Sequence, residues 1–332
     1  MTSFDGLLFA LDSAHHLGAT VADHLGVALA AHEVREFEGG EHKMRPLVNV
    51  RGRDVYVVAS LAGDEKGQSA NDKLCRLLFF IGALNEASAR SVTAVVPYLC
   101  YSRKDQQTKA HDPVSTRYVA QLFEAIGSDR LITVDVHNLA AFQNAARCRT
   151  DHLEATQLFV DHVQKTVGQA DLVVVSPDIG GVKRAERFRR RLQAQLGQDV
   201  DLAFAAKLRS RDLISGPDQV LGDIEGRVAI VIDDMISSGG TMRRVADMLV
   251  RQGATDVHLV ATHGVLSPEA AILFSLPSIS SIIMTDSIPL VALRSEVVRD
   301  RLVVLGLGPL LAEAVARIQA GGSVADLLHT ET

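Results

Sequence analysis

Val228-Ala-Ile-Val-Ile-Asp-Asp-Met-Ile-Ser-Ser-Gly-Gly-Thr-Met242 decides the fold class of this chain. Five apolar residues followed by two carboxylates predict a buried parallel strand, Val228 to Ile232, whose carboxyl end carries chemistry, because open α/β sheets bind ligands beyond their strand ends. Ser237, Ser238, Gly239, Gly240 and Thr241 then make a small, hydroxyl-rich turn. Met242 to Val250 has helical spacing, so the turn lies at a helix N-terminus, where free N–H groups and the helix dipole favour a phosphate. Gly239 and Gly240 let the backbone approach that anion. Asp233 and Asp234 repel a phosphate but can accept hydrogen bonds from the vicinal hydroxyls of a sugar. Phosphate and ribose together describe a 5-phosphoribosyl group; the competing reading is an ordinary strand, turn and helix with solvated acids.

Working outward, 332 residues are enough for two domains with substantial cores. A content of 47% hydrophobic and 22% charged residues fits an ordinary soluble globular protein. The formal charge is -6, and no basic run or basic-aromatic interleaving points to nucleic acid. Cys75, Cys100 and Cys148 are odd in number and lack metal-type spacing, which suits buried thiols in a reducing compartment. No secretion signal and no apolar run of about 18 residues is visible, so a cytoplasmic location and no membrane association are expected.

Strands are predicted at Leu7 to Leu11, Ala31 to Phe37, Pro46 to Val50, Asp54 to Ser60, Ser91 to Tyr98 and Arg130 to His137. Helices fall at Ser13 to Leu25, Asp72 to Ala89 and Pro113 to Ile126. The pattern repeats with strands at Leu172 to Ser176, Val200 to Lys207, Val228 to Ile232, Val257 to Thr262 and Ser281 to Met284, and a basic helix at Val182 to Leu196. Alternation of this kind predicts parallel sheets flanked by helices, an α/β class with two tandem domains. The boundary is placed at 147/148, with the last helix, Pro309 to Gln319, free to pack back on the first domain.

Other strand ends carry chemical groups. Arg103, Lys104 and Asp105 follow a strand and suit a polyphosphate or a solvated loop. Asp135 and His137 end a strand two positions apart, on one face. Asp178 precedes Gly180, Gly181 and a helix start, which is a second anion cradle with an acid for a divalent cation, or an N-capped helix. Lys207 and Arg209 open a Ser, Gly, Pro and Asp-rich loop that reads as a phosphoryl-transfer lid or a plain surface hairpin.

Taken in order, Phe37-Glu-Gly-Gly-Glu41, Ser69-Ala-Asn-Asp72, Tyr101-Ser-Arg-Lys-Asp105, Asp135-Val-His137, Val175-Ser-Pro-Asp-Ile-Gly-Gly-Val-Lys-Arg-Ala185, Lys207-Leu-Arg209, Gly222-Asp-Ile-Glu-Gly226, the Val228 segment and Ala261-Thr-His-Gly-Val-Leu-Ser267 resemble the ribose-phosphate diphosphokinase (PRPP synthetase) family over nearly the whole chain. The resemblance implies two phosphoribosyltransferase-like domains, the first on the ATP side and the second holding ribose 5-phosphate at Asp233, Asp234 and Ser237 to Thr241. It implies Mg2+ held by His137 and Asp178, a diphosphate loop at Gly180 and Gly181, and a catalytic pair, Lys207 and Arg209. Arg103, Lys104 and Asp105 would contact ATP, joined by Phe37 and Glu41 of a neighbouring subunit. Self-association follows, as dimers and assemblies of dimers up to the hexamer.

The chain departs from the family pattern at several places. Lys104 replaces the usual Gln, the acid near Gly39 is missing, and Ser237 replaces the commoner Asp. Ser267-Pro-Glu-Ala270 and the Gln106 to Asp112 stretch lack the family's usual sequence and basic density, which puts phosphate activation and ADP inhibition in question. Two other readings fit parts of the chain. A type I phosphoribosyltransferase would also use Ser-Ser-Gly-Gly-Thr, and a catalytically silent regulatory subunit would share the fold.

Overall fold

A strand followed by a crossover helix returns in the same direction, so alternating apolar runs and helices build parallel sheets. The computed structural model describes residues 4–64, 67–168, 170–206, 219–289 and 296–327. Contacts divide the chain into two units, one formed by Met1–Glu154, Asp286–Pro289 and Gly306–Glu331, the other mainly by Ala155–Thr285 and Leu290–Leu305.

The first unit contains β1 (Leu7–Ala10), α1 (His15–Leu25), β2 (His32–Glu36), β3 (His42–Pro46), β4 (Asp54–Val58), α2 (Ala70–Glu86), β5 (Ser91–Val95), α3 (Ser115–Ala125), β6 (Arg130–Val134), α4 (Leu139–Ala145) and β7 (Arg149–Leu153). β1, β4, β5, β6 and β7 form a parallel sheet in that order. Val92, Ala94, Val95, Leu131, Ile132 and Val134 are fully buried, and Thr93 and Thr133 among them are buried too, as strands covered on both faces require. Ser69 starts α2 with a reciprocal capping box to Asp72, which satisfies two otherwise orphaned donors.

β7 belongs to this sheet, so the first unit runs past the expected boundary to Glu154. Its residues Arg149-Thr-Asp-His-Leu153 are too polar to announce a strand, and its place at the sheet edge explains why that composition is tolerated. The hairpin also differs from expectation. β3 occupies His42–Pro46, not Pro46 to Val50, and pairs antiparallel with β2 from His32↔Pro46 to Glu36↔His42. Polar residues at 42, 43 and 45 hid this strand; only Met44 turns inward, at 8% exposure.

The second unit contains α5 (Thr156–Val167), β8 (Leu172–Ser176), α6 (Val182–Leu196), β9 (Asp201–Ala206), β10 (Gln219–Leu221), β11 (Val228–Ile236), α7 (Gly240–Arg251), β12 (Asp256–Gly264), β13 (Ser281–Thr285), α8 (Glu296–Arg301) and β14 (Leu302–Leu305). Its sheet has the order β10-β9-β8-β11-β12-β13-β14, parallel except for β10 against β9. From β8 the chain steps one way to β9, and from β11 the other way to β12. Right-handed crossovers therefore put α6 and α7 on opposite faces, and β8/β11 is the switch point where open sheets bind ligands. α7 seals its face by burying Val245, Ala246 and Leu249 in a cluster with Val231 and Leu259.

The final helix, α9 (Gly308–Ala320), packs on α1 in the first unit. Its Gln319 accepts a hydrogen bond from the Tyr56 hydroxyl at 3.1 Å and donates to Asp54 at 3.2 Å, while Arg90 forks onto the same Asp54 carboxylate. The Arg90 bond is the main reason that Asp54 is held down at about 2. Leu311 on this helix is fully buried. Leu311→Ala is expected to destabilise the first unit by about 2–5 kcal/mol, the usual cost of a Leu-to-Ala cavity. Urea melts followed by circular dichroism suit a chain with no tryptophan; a loss below about 0.5 kcal/mol, the size of an ordinary surface substitution, would show that α9 is dispensable to the fold.

Candidate active site

The central strand is longer than its apolar run. β11 continues pairing with β12 through Asp233↔Ala261, Met235↔His263 and Ile236↔Gly264, so both carboxylates lie within the strand instead of beyond its end. Pairing with β8 stops at Val231↔Val175, which leaves Asp233 and Asp234 where β11 outruns its neighbour. Asp234 is only 2% exposed.

Such burial needs a counter-charge, and α6 supplies it. Arg184 Nη1 donates to Asp233 Oδ1 at 2.7 Å, and Nη2 lies 3.1 Å from Asp234 Oδ1. The Asp234 backbone N–H also donates to Asp233 Oδ1 at 2.8 Å. Burial first, and then the neighbouring Asp234 charge, push Asp233 well above the ordinary carboxylate range, while Arg184 pulls it back.

After β11 the backbone turns through Ser237, Ser238 and Gly239. Gly239 has φ 77°, and a Cβ there would fall 2.7 Å from the Leu273 side chain, so glycine is required twice over. α7 begins at Gly240 with no side-chain cap, which leaves the first-turn N–H groups available to an anion. The Ser267 N–H donates to the Ser237 carbonyl at 3.3 Å and braces the turn.

Across the switch point, the β8–α6 loop is equally constrained. Asp178 Oδ1 accepts from the Gly181 N–H at 2.8 Å, and Ser176 Oγ donates to the Asp178 carbonyl at 2.6 Å. A Cβ on Gly181 would fall 2.7 Å from Ser176 Oγ. Asp178 thus organises the turn through one oxygen while its side chain remains exposed. Beside the loop lies a cavity of about 410 Å³, lined by Asp178, Gly180 and Thr241, by Ala205 and Ala206 of β9, and by Arg244, Val245 and Met248 of α7.

The first unit gathers its own candidates at the ends of β5 and β6. Thr116 Oγ1 donates to the Tyr101 carbonyl at 3.0 Å and fixes the turn that carries Arg103. Asn138 caps α4 by accepting from Ala141 N–H at 3.1 Å and donates to Asp105 at 2.6 Å, joining the Arg103–Asp105 loop to the loop of His137. Lys104 is engaged with Asp112 at 2.5 Å. β6 ends at Val134 and Asp135 has φ 40°, so Asp135 and His137 are loop residues and the expected sharing of a strand face does not hold. Phe37 and Glu41 close the β2–β3 turn, with Phe37 N–H donating to the Glu41 carbonyl at 2.7 Å and the Phe37 ring 43% exposed. Lys207 and Arg209 lie outside the described residues.

Two participants were absent from the sequence reading. Asn138 gives no signal beyond its capping chemistry. Arg184 does give one: a cation in the first turn of a helix opposes the helix dipole and calls for an acidic partner.

Comparison with known proteins converges on one family. A family model described as the N-terminal domain of ribose phosphate pyrophosphokinase matches residues 7–127, and one described as the phosphoribosyl synthetase-associated domain matches residues 209–329. The chain is 38% identical to the ribose-phosphate pyrophosphokinase of Hyphomonas neptunium over 96% of its own length and 98% of that protein's. It is 36% identical to the corresponding protein of Caldanaerobacter subterraneus subsp. tengcongensis, over 96% of each chain. The crystal structure of phosphoribosylpyrophosphate synthetase from Mycobacterium smegmatis superposes with a TM-score of 0.84 at 34% identity, covering 96% of this chain and 100% of that one. With two glycine turns and an acid pair placed about one switch point, and with these relatives matched over nearly their full length, this chain belongs to the ribose-phosphate pyrophosphokinase family.

Proposed function

We propose that this chain makes PRPP by transferring the β,γ-diphosphoryl group of ATP to the anomeric hydroxyl of ribose 5-phosphate, releasing AMP. The observation that carries this reading is the switch-point constellation: an uncapped helix start after a glycine turn, and two carboxylates in the last turn-proximal stretch of β11, which ends at Ile236. The turn Ser237 to Thr241 holds the 5-phosphate with backbone N–H groups, and the acid pair accepts hydrogen bonds from the ribose hydroxyls. The Gly180-Gly181 turn, at the start of α6, receives the diphosphoryl group. Arg103 and Asp105, tied to the His137 loop through Asn138, serve ATP. Lys104 would have to leave Asp112 to join them.

Positioning of the substrates, together with electrostatic stabilisation of the transferring group, is most of what a protein supplies to such a displacement. Among the described residues no three His, Cys, Asp or Glu side chains cluster as a metal cage. Magnesium is commonly held by one or two carboxylates together with substrate phosphates, and needs no such cage. Asp178, exposed and with one oxygen committed to Gly181, is the residue of the second unit that would hold it, and His137 is the candidate of the first. When bound, Mg2+ would offset polyphosphate charge and make the phosphorus more electrophilic. Lys207 and Arg209 enter as cations that stabilise charge on the transferring group, a role that rests on family resemblance alone.

Among the described residues no helix is long and apolar enough to cross a membrane. A cytoplasmic site of action and self-association through the exposed Phe37 turn complete the proposal.

A phosphorus NMR time course with ribose 5-phosphate, ATP and Mg2+ is expected to show AMP and PRPP rising in equal amounts; ADP in place of AMP would sink diphosphoryl transfer. Lys207→Ala is expected to lower turnover by roughly 10²-fold to 10³-fold, the scale for losing a transition-state donor, with little change in ribose 5-phosphate affinity. Gly239→Ala, strained by its positive φ and its collision with Leu273, is expected to raise the KM for ribose 5-phosphate about tenfold or more and to leave that for ATP near normal. Equal effects on both substrates would remove the turn from specific phosphate binding.

A further inference from the structure

We infer that Arg184 is the positioning residue of the sugar site: its guanidinium forks across Asp233 and Asp234 and fixes the acid that meets the sugar hydroxyl. The inference rests on the proposed binding of ribose 5-phosphate at the acid pair.

The geometry is specific. One guanidinium meets two successive residues of β11, Asp233 Oδ1 at 2.7 Å and Asp234 Oδ1 at 3.1 Å, which a lysine ammonium cannot reproduce as a planar fork. Arg184 stands three residues after Gly181, in the first turn of α6. A Cβ placed on Gly181 would lie 3.7 Å from Arg184 Nη1, so the guanidinium runs alongside the turn proposed to hold the diphosphoryl group.

The two acids are also unequal. Asp234 is buried, with its side chain 3% exposed, whereas the Asp233 side chain keeps 24% exposure. Arg184 and the Asp234 N–H both bond to Oδ1 of Asp233. Asp233 is therefore the acid that meets the sugar hydroxyl, and Asp234 anchors Arg184 from below. Removing Arg184 leaves two adjacent acids without their shared cation, which disorders the acceptor and weakens sugar binding more than it slows the chemical step.

The test measures KM for each substrate, kcat and thermal stability for the full-length Arg184→Ala, Arg184→Lys, Asp233→Asn and Arg184→Ala/Asp233→Asn chains. Ribose 5-phosphate binding is measured in parallel by calorimetry. Arg184→Ala is expected to raise the KM for ribose 5-phosphate about 10-fold to 100-fold, with ATP KM and kcat changed less than about threefold. Arg184→Lys should recover part of that loss. The double variant should bind sugar phosphate about as weakly as Asp233→Asn alone, because Arg184 acts through that carboxylate.

Multiplicative losses in the double variant, or an ATP KM raised as much as that for ribose 5-phosphate, would overturn the assignment. If Arg184→Ala does not fold, the comparison of Arg184→Lys with Asp233→Asn decides by the same split between substrates. Failure of the parent chain to make PRPP while calorimetry still shows Arg184-dependent sugar phosphate binding would count against the proposed reaction and not against this role. Absence of binding in the parent would overturn both.

Discussion

Two adjacent carboxylates on a strand inside a parallel sheet are costly, because desolvating an ionised carboxylate without a partner costs several kcal/mol. The fork from Arg184 to Asp233 and Asp234 offsets part of that cost. Much of the local structure of the second unit's candidate site is tied to this contact. It requires α6 to start beside β11, which requires the β8–α6 loop to turn tightly at Gly181 against Ser176 Oγ. The same strand then delivers the chain to Gly239, whose left-handed backbone starts α7. Two glycine turns and an acid pair thus arise from short segments at the carboxyl ends of two central strands.

The first unit uses the same construction with different side chains. Its strand ends at β5 and β6 carry Arg103, Asp105 and His137, and they are joined by a single residue, Asn138, that caps a helix and bonds to Asp105 at once. Chain order and spatial unit also part company there. Gln319, near the end of the chain, completes a hydrogen-bond network with Tyr56 and Asp54. A C-terminal substitution is therefore felt by the N-terminal sheet, a coupling that follows from topology and not from local propensity.

Much of the architecture was legible because a fully buried parallel strand must be continuously apolar. Leu172 to Ser176 and Val182 to Leu196 fall where their patterns place them. Errors arose where burial did not govern composition. The hairpin strand His42–Pro46 is largely solvated and reads as a polar turn, and β7 is a polar edge strand. Asp135 and His137 do not share a strand face, because Asp135 leaves the strand conformation altogether.

Residue type and spacing within about fifteen positions were enough to read the α/β class, the glycine turn after the central strand and the adjacent acids. Tertiary structure decided which strands flank the switch point, that β11 carries its acids inside the ladder, and that Arg184 serves both of them. Those outcomes depend on strand order and on a contact spanning 49 residues of chain, and no local pattern encodes either.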